Sequence, residues 1–215
     1  METFEYTLAG LVLLITYWLL IARRIRGAIN GYAFQSVVIG VIVLATYAQS
    51  LRLHLLVLAL STFLIKGILI PIVLRRQVRA TVYDKRETHY YVGFPTALLI
   101  GMGLSIAGFV AANRLDVVKD LVGQPVLGVA VAVVLIGFFI TVARQDAVMQ
   151  LTGLLVAENG LLLLGLVMSA GLGLLVDFAL LMDVLVGAVV MGFLVARMNA
   201  TIMSTDTSEL RRLRG

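Results

Sequence analysis

Four ionisable side chains stand inside long apolar stretches of this sequence: Lys66, Glu158, Asp177 and Asp183. At the centre of a membrane-spanning helix such a group costs about 2.5 to 3.5 kcal/mol, so by default it marks a functional site. The chemistry open to this set is proton movement. A buried carboxylate changes its protonation when a neighbouring charge shifts, and a lysine can be that neighbour. The competing use is structural, with Glu158 and Lys66 neutralising one another so that the chain can fold. Asn159 adds an amide able to hold a water or orient the carboxylate beside it. Pro71 lacks an N–H, and on a regular α-helix it frees the carbonyl around Gly67, close to Lys66. A simple kink is the plainer use of that proline.

Depth sorts these groups. Asp183 lies 14 residues before Arg197, and Glu158 lies 14 residues after Arg144. At the rise of an α-helix both are about 21 Å from the basic end of their spans. Lys66 is nine residues from Arg75, or about 14 Å from that end, so the three can share one layer near mid-membrane. Asp177, 20 residues from Arg197, falls about 30 Å away, near the opposite surface.

Water is not the main solvent of this chain. Of its 215 residues 61% are hydrophobic and 13% charged, and the mean hydropathy is +1.05. Soluble domains carry about 25% charge. A spanning helix with its connection takes about 20 to 30 residues, so about seven spans use up the length and leave no room for a soluble catalytic domain. The absence of cysteine removes iron–sulfur ligation, disulfides and thiol chemistry. The two histidines, His54 and His89, fall near span ends, which argues against bis-histidine haem ligation. No nucleotide loop, metal-ligand cluster or nucleophile–base pair is present, so no catalytic, cofactor-binding or metal-ligating residue is assigned.

The expected fold is all-α, a polytopic bundle of about seven transmembrane helices. Apolar runs place the spans at Thr7 to Ala22, Tyr32 to Gln49, Leu53 to Leu74, Val92 to Ala112, Val126 to Ala143, Val148 to Met168 and Leu174 to Ala196. Residues 1–80 hold three of them, 81–91 form an interfacial linker with Tyr83, Tyr90 and Tyr91, 92–198 hold four, and 199–215 form a polar basic tail. The net charge of +5 reads as topology rather than nucleic-acid binding. Arg23, Arg24, Arg26, Arg75, Arg76, Arg79, Lys85, Arg86, Arg144 and Arg197 flank one set of span ends, whereas the other set holds only Arg52, Arg114 and Lys119. The positive-inside rule then puts the N-terminus outside and the C-terminus in the cytoplasm. Glu2 and Glu5 before the first span, and arginines after it, argue for a retained helix rather than a cleaved signal peptide. Gly101, Gly103, Gly108, Gly153, Gly160, Gly165, Gly187 and Gly192 are expected to face other helices and let their backbones approach.

The last three spans (124–198) resemble the K-type subunit of respiratory complex I and the related C subunit of multisubunit sodium/proton antiporters. The residues that carry this are Leu151-Thr-Gly-Leu-Leu-Val-Ala-Glu-Asn-Gly160, with Glu158 about one turn later than the family position, and Met182-Asp-Val-Leu-Val-Gly-Ala188, with Asp183 at the place of the second family glutamate. The full length is similar to the HyfE family, membrane component E of hydrogenase-4, in which the Ala157-to-Gly160 and Lys66-to-Pro71 stretches also find likeness.

This resemblance implies a non-catalytic subunit of a complex I-like membrane-bound [NiFe] hydrogenase in a prokaryotic cytoplasmic membrane. It implies antiporter-like membrane subunits and a hydrophilic arm as partners, with nickel–iron and iron–sulfur centres on those partners. Glu158, Asp183 and Lys66 would then carry ion translocation, with Asp177, Asn159 and Pro71 secondary. A subunit of a cation/proton antiporter without a redox arm, and a purely structural scaffold, are the alternatives. Mass spectrometry of the complex purified in mild detergent is expected to find nickel- and iron–sulfur-carrying subunits. An assembly of antiporter subunits alone would contradict the hydrogenase expectation.

Overall fold

The computed structural model describes residues 2–80, 92–114 and 124–168, and over these the chain is helical. α1 (Glu2–Ile21), α2 (Ile25–Ser50) and α3 (Leu53–Ser61) lead into an eight-residue π-helix (Thr62–Leu69), which continues directly as α4 (Ile70–Ala80). α5 (Phe94–Arg114), α6 (Gln124–Ala143) and α7 (Ala147–Met168) follow. Six helices among the described residues are long and apolar enough to cross a membrane, with α3, the π-helix and α4 sharing one crossing. Helices suit a spanning chain, because hydrocarbon offers no partner for a backbone N–H or C=O and a helix bonds them all internally. The expected seventh span, Leu174 to Ala196, the linker 81–91 and the tail 199–215 lie outside the described residues, as do Asp177 and Asp183.

Several boundaries depart from expectation. α2 starts at Ile25 rather than at Tyr32. Arg26 and Asn30 look like loop residues by hydropathy, yet the helix runs through them, and the Asn30 side chain accepts a hydrogen bond from Arg75 at 2.7 Å. The third span is one crossing of mixed register rather than a plain helix. α1 starts at Glu2 rather than Thr7, and the helix of the third crossing runs past Leu74 to Ala80, whereas α5, α6 and α7 lie within two residues of the expected limits. Pro95 and Pro125 sit in the first turns of α5 and α6, where the missing N–H costs nothing. α2 closes on Leu51, whose left-handed backbone (φ 52°) returns its N–H to the Tyr47 carbonyl at 2.7 Å, making a tight turn into α3.

The ends of the bundle differ in charge. Arg23 lies over the Phe94 ring, Arg75 meets Asn30, and Arg144 donates to the carbonyls of Leu19 and Leu20. These contacts gather the last turn of α1, the first of α2 and α5 and the last of α6 at one end. The opposite end holds the hydrogen bond from Gln49 to Glu5. Arg144 is only 1% exposed. A guanidinium there meets the carbonyls that the C-terminus of α1 cannot use internally, and it complements that helix's negative pole.

Glycines set how closely the second half packs. A Cβ at Gly160 would lie 2.7 Å from the Val134 backbone nitrogen, one at Gly153 2.6 Å from that of Thr141, and one at Gly108 2.7 Å from that of Ala132. α5, α6 and α7 therefore meet backbone to backbone, by van der Waals contact rather than by the hydrophobic effect, which has no pull between helices in lipid. Gly103 departs from the expected pattern. It is exposed, and nothing stands within 4 Å of its would-be Cβ. Gly160→Ala is thus expected to destabilise the protein by about 1–3 kcal/mol, since backbone cannot move aside as a side chain can. Gly103→Ala is expected to be neutral, and detergent-solubilised thermal unfolding of the two variants checks the contrast.

Candidate functional site

Two of the four intramembrane ionisable groups come together. Lys66 Nζ lies 3.2 Å from Glu158 Oε1, and both residues are buried, Lys66 being 1% and Glu158 4% exposed. Lys66 is near the middle of its crossing, and Glu158 is halfway along α7. The pairing satisfies the requirement that a charge inside a membrane protein find an opposite charge or water.

The π-helix is the local device that presents Lys66. In this register carbonyls bond five residues ahead rather than four, and the Ile70 N–H meets the Ile65 carbonyl. A π turn is wider than an α turn and is frequent at functional sites. Pro71 ends the register, because it has no N–H with which to continue the ladder. Five residues back from Pro71 is Lys66 itself, so the expectation that proline acts on the Gly67 carbonyl shifts by one residue. The π-helix is seated on α2, where the Phe63 ring packs against Gly40, and a Cβ at Gly67 would lie 3.4 Å from Val37 Cγ2.

α2 also holds the other partner. Asn159 does not turn to Glu158. Its Nδ2 donates to Gln35 Oε1 at 3.0 Å and to Ser36 Oγ at 3.1 Å, tying α7 to α2. Gln35 Nε2 in turn donates to Thr16 Oγ1 at 2.8 Å, and Thr16 donates to the Val12 carbonyl at 2.8 Å. Thr16, Gln35, Ser36 and Asn159 are all fully buried. One face of α2 thus grips the π-helix that carries Lys66, while hydrogen bonds fix the α7 position next to Glu158. The resulting layer is a charged pair flanked by a neutral polar chain that crosses α7, α2 and α1.

Gln35, Ser36 and Thr16 did not stand out in the sequence. They carry no charge, and single neutral polar residues are common in spans. The available signal was their type and place: a Gln-Ser pair inside an apolar run of α2, and a threonine inside α1, each obliged to find partners in hydrocarbon. Arg144 also carries more than topology, being buried against α1 rather than exposed in a loop. Asp177 and Asp183 lie outside the described residues, and Pro71 enters only through the register it ends.

Comparison with known proteins gives a distant likeness along nearly the whole chain. An uncharacterised protein of Mycobacterium tuberculosis is 27% identical over 212 residues, covering 98% of this chain and 95% of that protein. Hydrogenase-4 component E of Escherichia coli is 25% identical over 209 residues, covering 97% of this chain and 96% of that protein. The component E of Shigella flexneri matches to the same extent. No family model and no solved structure matches.

Removing one member of the buried pair strands the other, whereas removing both with apolar residues of similar volume does not. Lys66→Met and Glu158→Leu are each expected to cost about 3–5 kcal/mol of stability, and the double variant close to nothing. Unfolding in detergent of the singles and the double checks this. A double variant as unstable as the sum of the singles would contradict the pairing.

Proposed function

We propose that this chain is a non-catalytic membrane subunit of a hydrogenase-type complex, and that its Lys66–Glu158 pair takes part in moving protons or cations as redox chemistry proceeds elsewhere in that complex. The observation that carries the reading is the buried ion pair at the centre of the bundle, with its lysine on a π-helix. The distant likeness to hydrogenase-4 component E along both chains supplies the assembly. In this reading the membrane is the prokaryotic cytoplasmic membrane, with the arginine-rich end of the bundle inside. Antiporter-like subunits adjoin the chain, and a hydrophilic arm carries the nickel–iron and iron–sulfur centres. Asp183, at the same calculated depth as Glu158, is the next carboxylate of the path.

The mechanism is electrostatic. While Glu158 is ionised it holds the Lys66 ammonium, and the pair is neutral as a unit. A charge change reaching this layer from a partner subunit favours either the closed pair or a protonated Glu158 with Lys66 turned to another counter-charge, since opposite charges nearby favour ionised forms and like charges disfavour them. Alternation between these states moves one proton per cycle without any bond being made in this chain beyond the carboxyl O–H. Interactions in so buried a site are stronger than in bulk water, because the surroundings screen less.

A scaffold with the same pair would need only its neutrality, and the two uses part under conservative change. Glu158→Gln keeps size and hydrogen-bonding capacity but cannot exchange a proton. The variant complex is expected to assemble, with electron transfer retained and coupled proton movement in sealed vesicles reduced by about a hundredfold, the lower range of what a positioned acid–base group contributes. Asp183→Asn is expected to act in the same direction. Assembly with full proton movement in both variants would contradict the proposal.

A further inference from the structure

The hydrogen bonds beside the ion pair have a direction, and that direction carries an inference about a residue outside the pair. Thr16 has one hydroxyl hydrogen, which goes to the Val12 carbonyl. Toward Gln35 it can therefore only accept, so Gln35 must present its NH2 group to α1, as it does at 2.8 Å. The planar carboxamide then points its oxygen the other way, where it accepts from Asn159. Asn159 is obliged to turn its own NH2 group toward α2, and the two hydrogens go to Gln35 and Ser36. Its oxygen is directed away from them. Asn159 Oδ1 is buried and meets no hydrogen-bond partner among the described residues. A fully buried carbonyl oxygen facing no donor is a site that takes one.

We infer that Gln35, held by Thr16, is a positioning residue: it fixes the Asn159 carboxamide with its buried oxygen end left open, one residue along α7 from Glu158, as an acceptor site for water or hydronium. The inference rests on the proposed role of Glu158 in proton movement. The choice of end matters for that role. An NH2 group here would present a donor to a proton carrier and could not hold its O–H. An oxygen accepts instead from an O–H of a carrier water. Transfer breaks one O–H bond of the carrier and forms one on Glu158, with Asn159 bonded to the proton-bearing molecule and unchanged itself. Thr16 and Gln35 touch neither the proton nor its carrier, and they act only through Asn159.

The test uses the assembled complex in proteoliposomes, with two readouts: the rate of proton movement, and the infrared carboxyl band assigned to Glu158 by its loss in Glu158→Gln. Thr16→Val keeps the shape of the side chain but cannot orient Gln35, whereas Thr16→Ser keeps the hydroxyl. Thr16→Val and Gln35→Leu are expected to slow proton movement by about tenfold, the scale of one hydrogen bond to a charged group, and to shift the band. Thr16→Ser is expected to retain both. Slowed movement with an unshifted band would mark a packing defect and overturn the inference, as would failure of Thr16→Ser to retain the rate. Wild-type rate and band in Thr16→Val and Gln35→Leu, with movement abolished in Glu158→Gln, would overturn it while leaving the role of Glu158 standing. Unchanged movement in Glu158→Gln would remove that role and the inference together.

Discussion

An ammonium and a carboxylate at the middle of a bundle built for hydrocarbon must find each other, and the arrangement of the described helices follows from that demand. Lys66 and Glu158 are far apart in sequence and sit on helices whose axes are both set by α2. The π-helix is seated by Phe63 against Gly40, and α7 is fixed by Asn159 against Gln35 and Ser36. α2 therefore acts as the common gauge. A rotation of either neighbour by one residue position would turn its ionisable group away from its partner, since successive residues on a helix point about 100° apart.

Close packing is what makes such a gauge precise enough to matter. α7 presses its glycines onto α6, with no side chain between backbones at Gly153 and Gly160. Asn159 stands immediately before the second of these. Small residues thus hold α7 from one side while the polar chain to α2 and α1 holds it from another. Arg144 anchors the charged end of α6 to the C-terminus of α1, so that the α1–α2 and α6–α7 pairs are tied both near mid-depth and at one end. The π-helix is seated in this frame by one face, against α2. Its wide register gives Lys66 its reach, and the apolar faces of its neighbours Leu64, Ile68 and Leu69 are exposed on the side turned away from the bundle.

Much of this was legible in the residues, for physical reasons that can be named. Six apolar runs marked the crossings, because a continuous apolar run of about 20 residues crosses a bilayer as a helix, which satisfies its own backbone. Lys66 and Glu158 were conspicuous because charge in such runs is expensive, and simple rise arithmetic put them near one depth. The start of α2 was hidden, because Arg26 and Asn30 are polar on a helix that extends past the apolar zone toward Arg75. The π register was hidden too. It depends on how Thr62–Leu69 packs on α2 and has no periodicity of its own in eight residues. Gln35, Ser36 and Thr16 were passed over because neutral polar residues give no signal until their partners on other helices are known. The residues from 169 onward, with Asp177 and Asp183, lie outside the described structure, and their part in the path stands on sequence alone.

The central claim is that Lys66 and Glu158 act as one unit in charge movement, and a double-mutant cycle on that movement addresses it directly. The rate of proton translocation by the assembled complex would be compared for wild type, Lys66→Met, Glu158→Gln and the two combined. Groups that function as a pair give strongly non-additive effects, so the account predicts a combined loss no larger than the greater single loss. Losses that multiply, as for two residues acting independently, would contradict it.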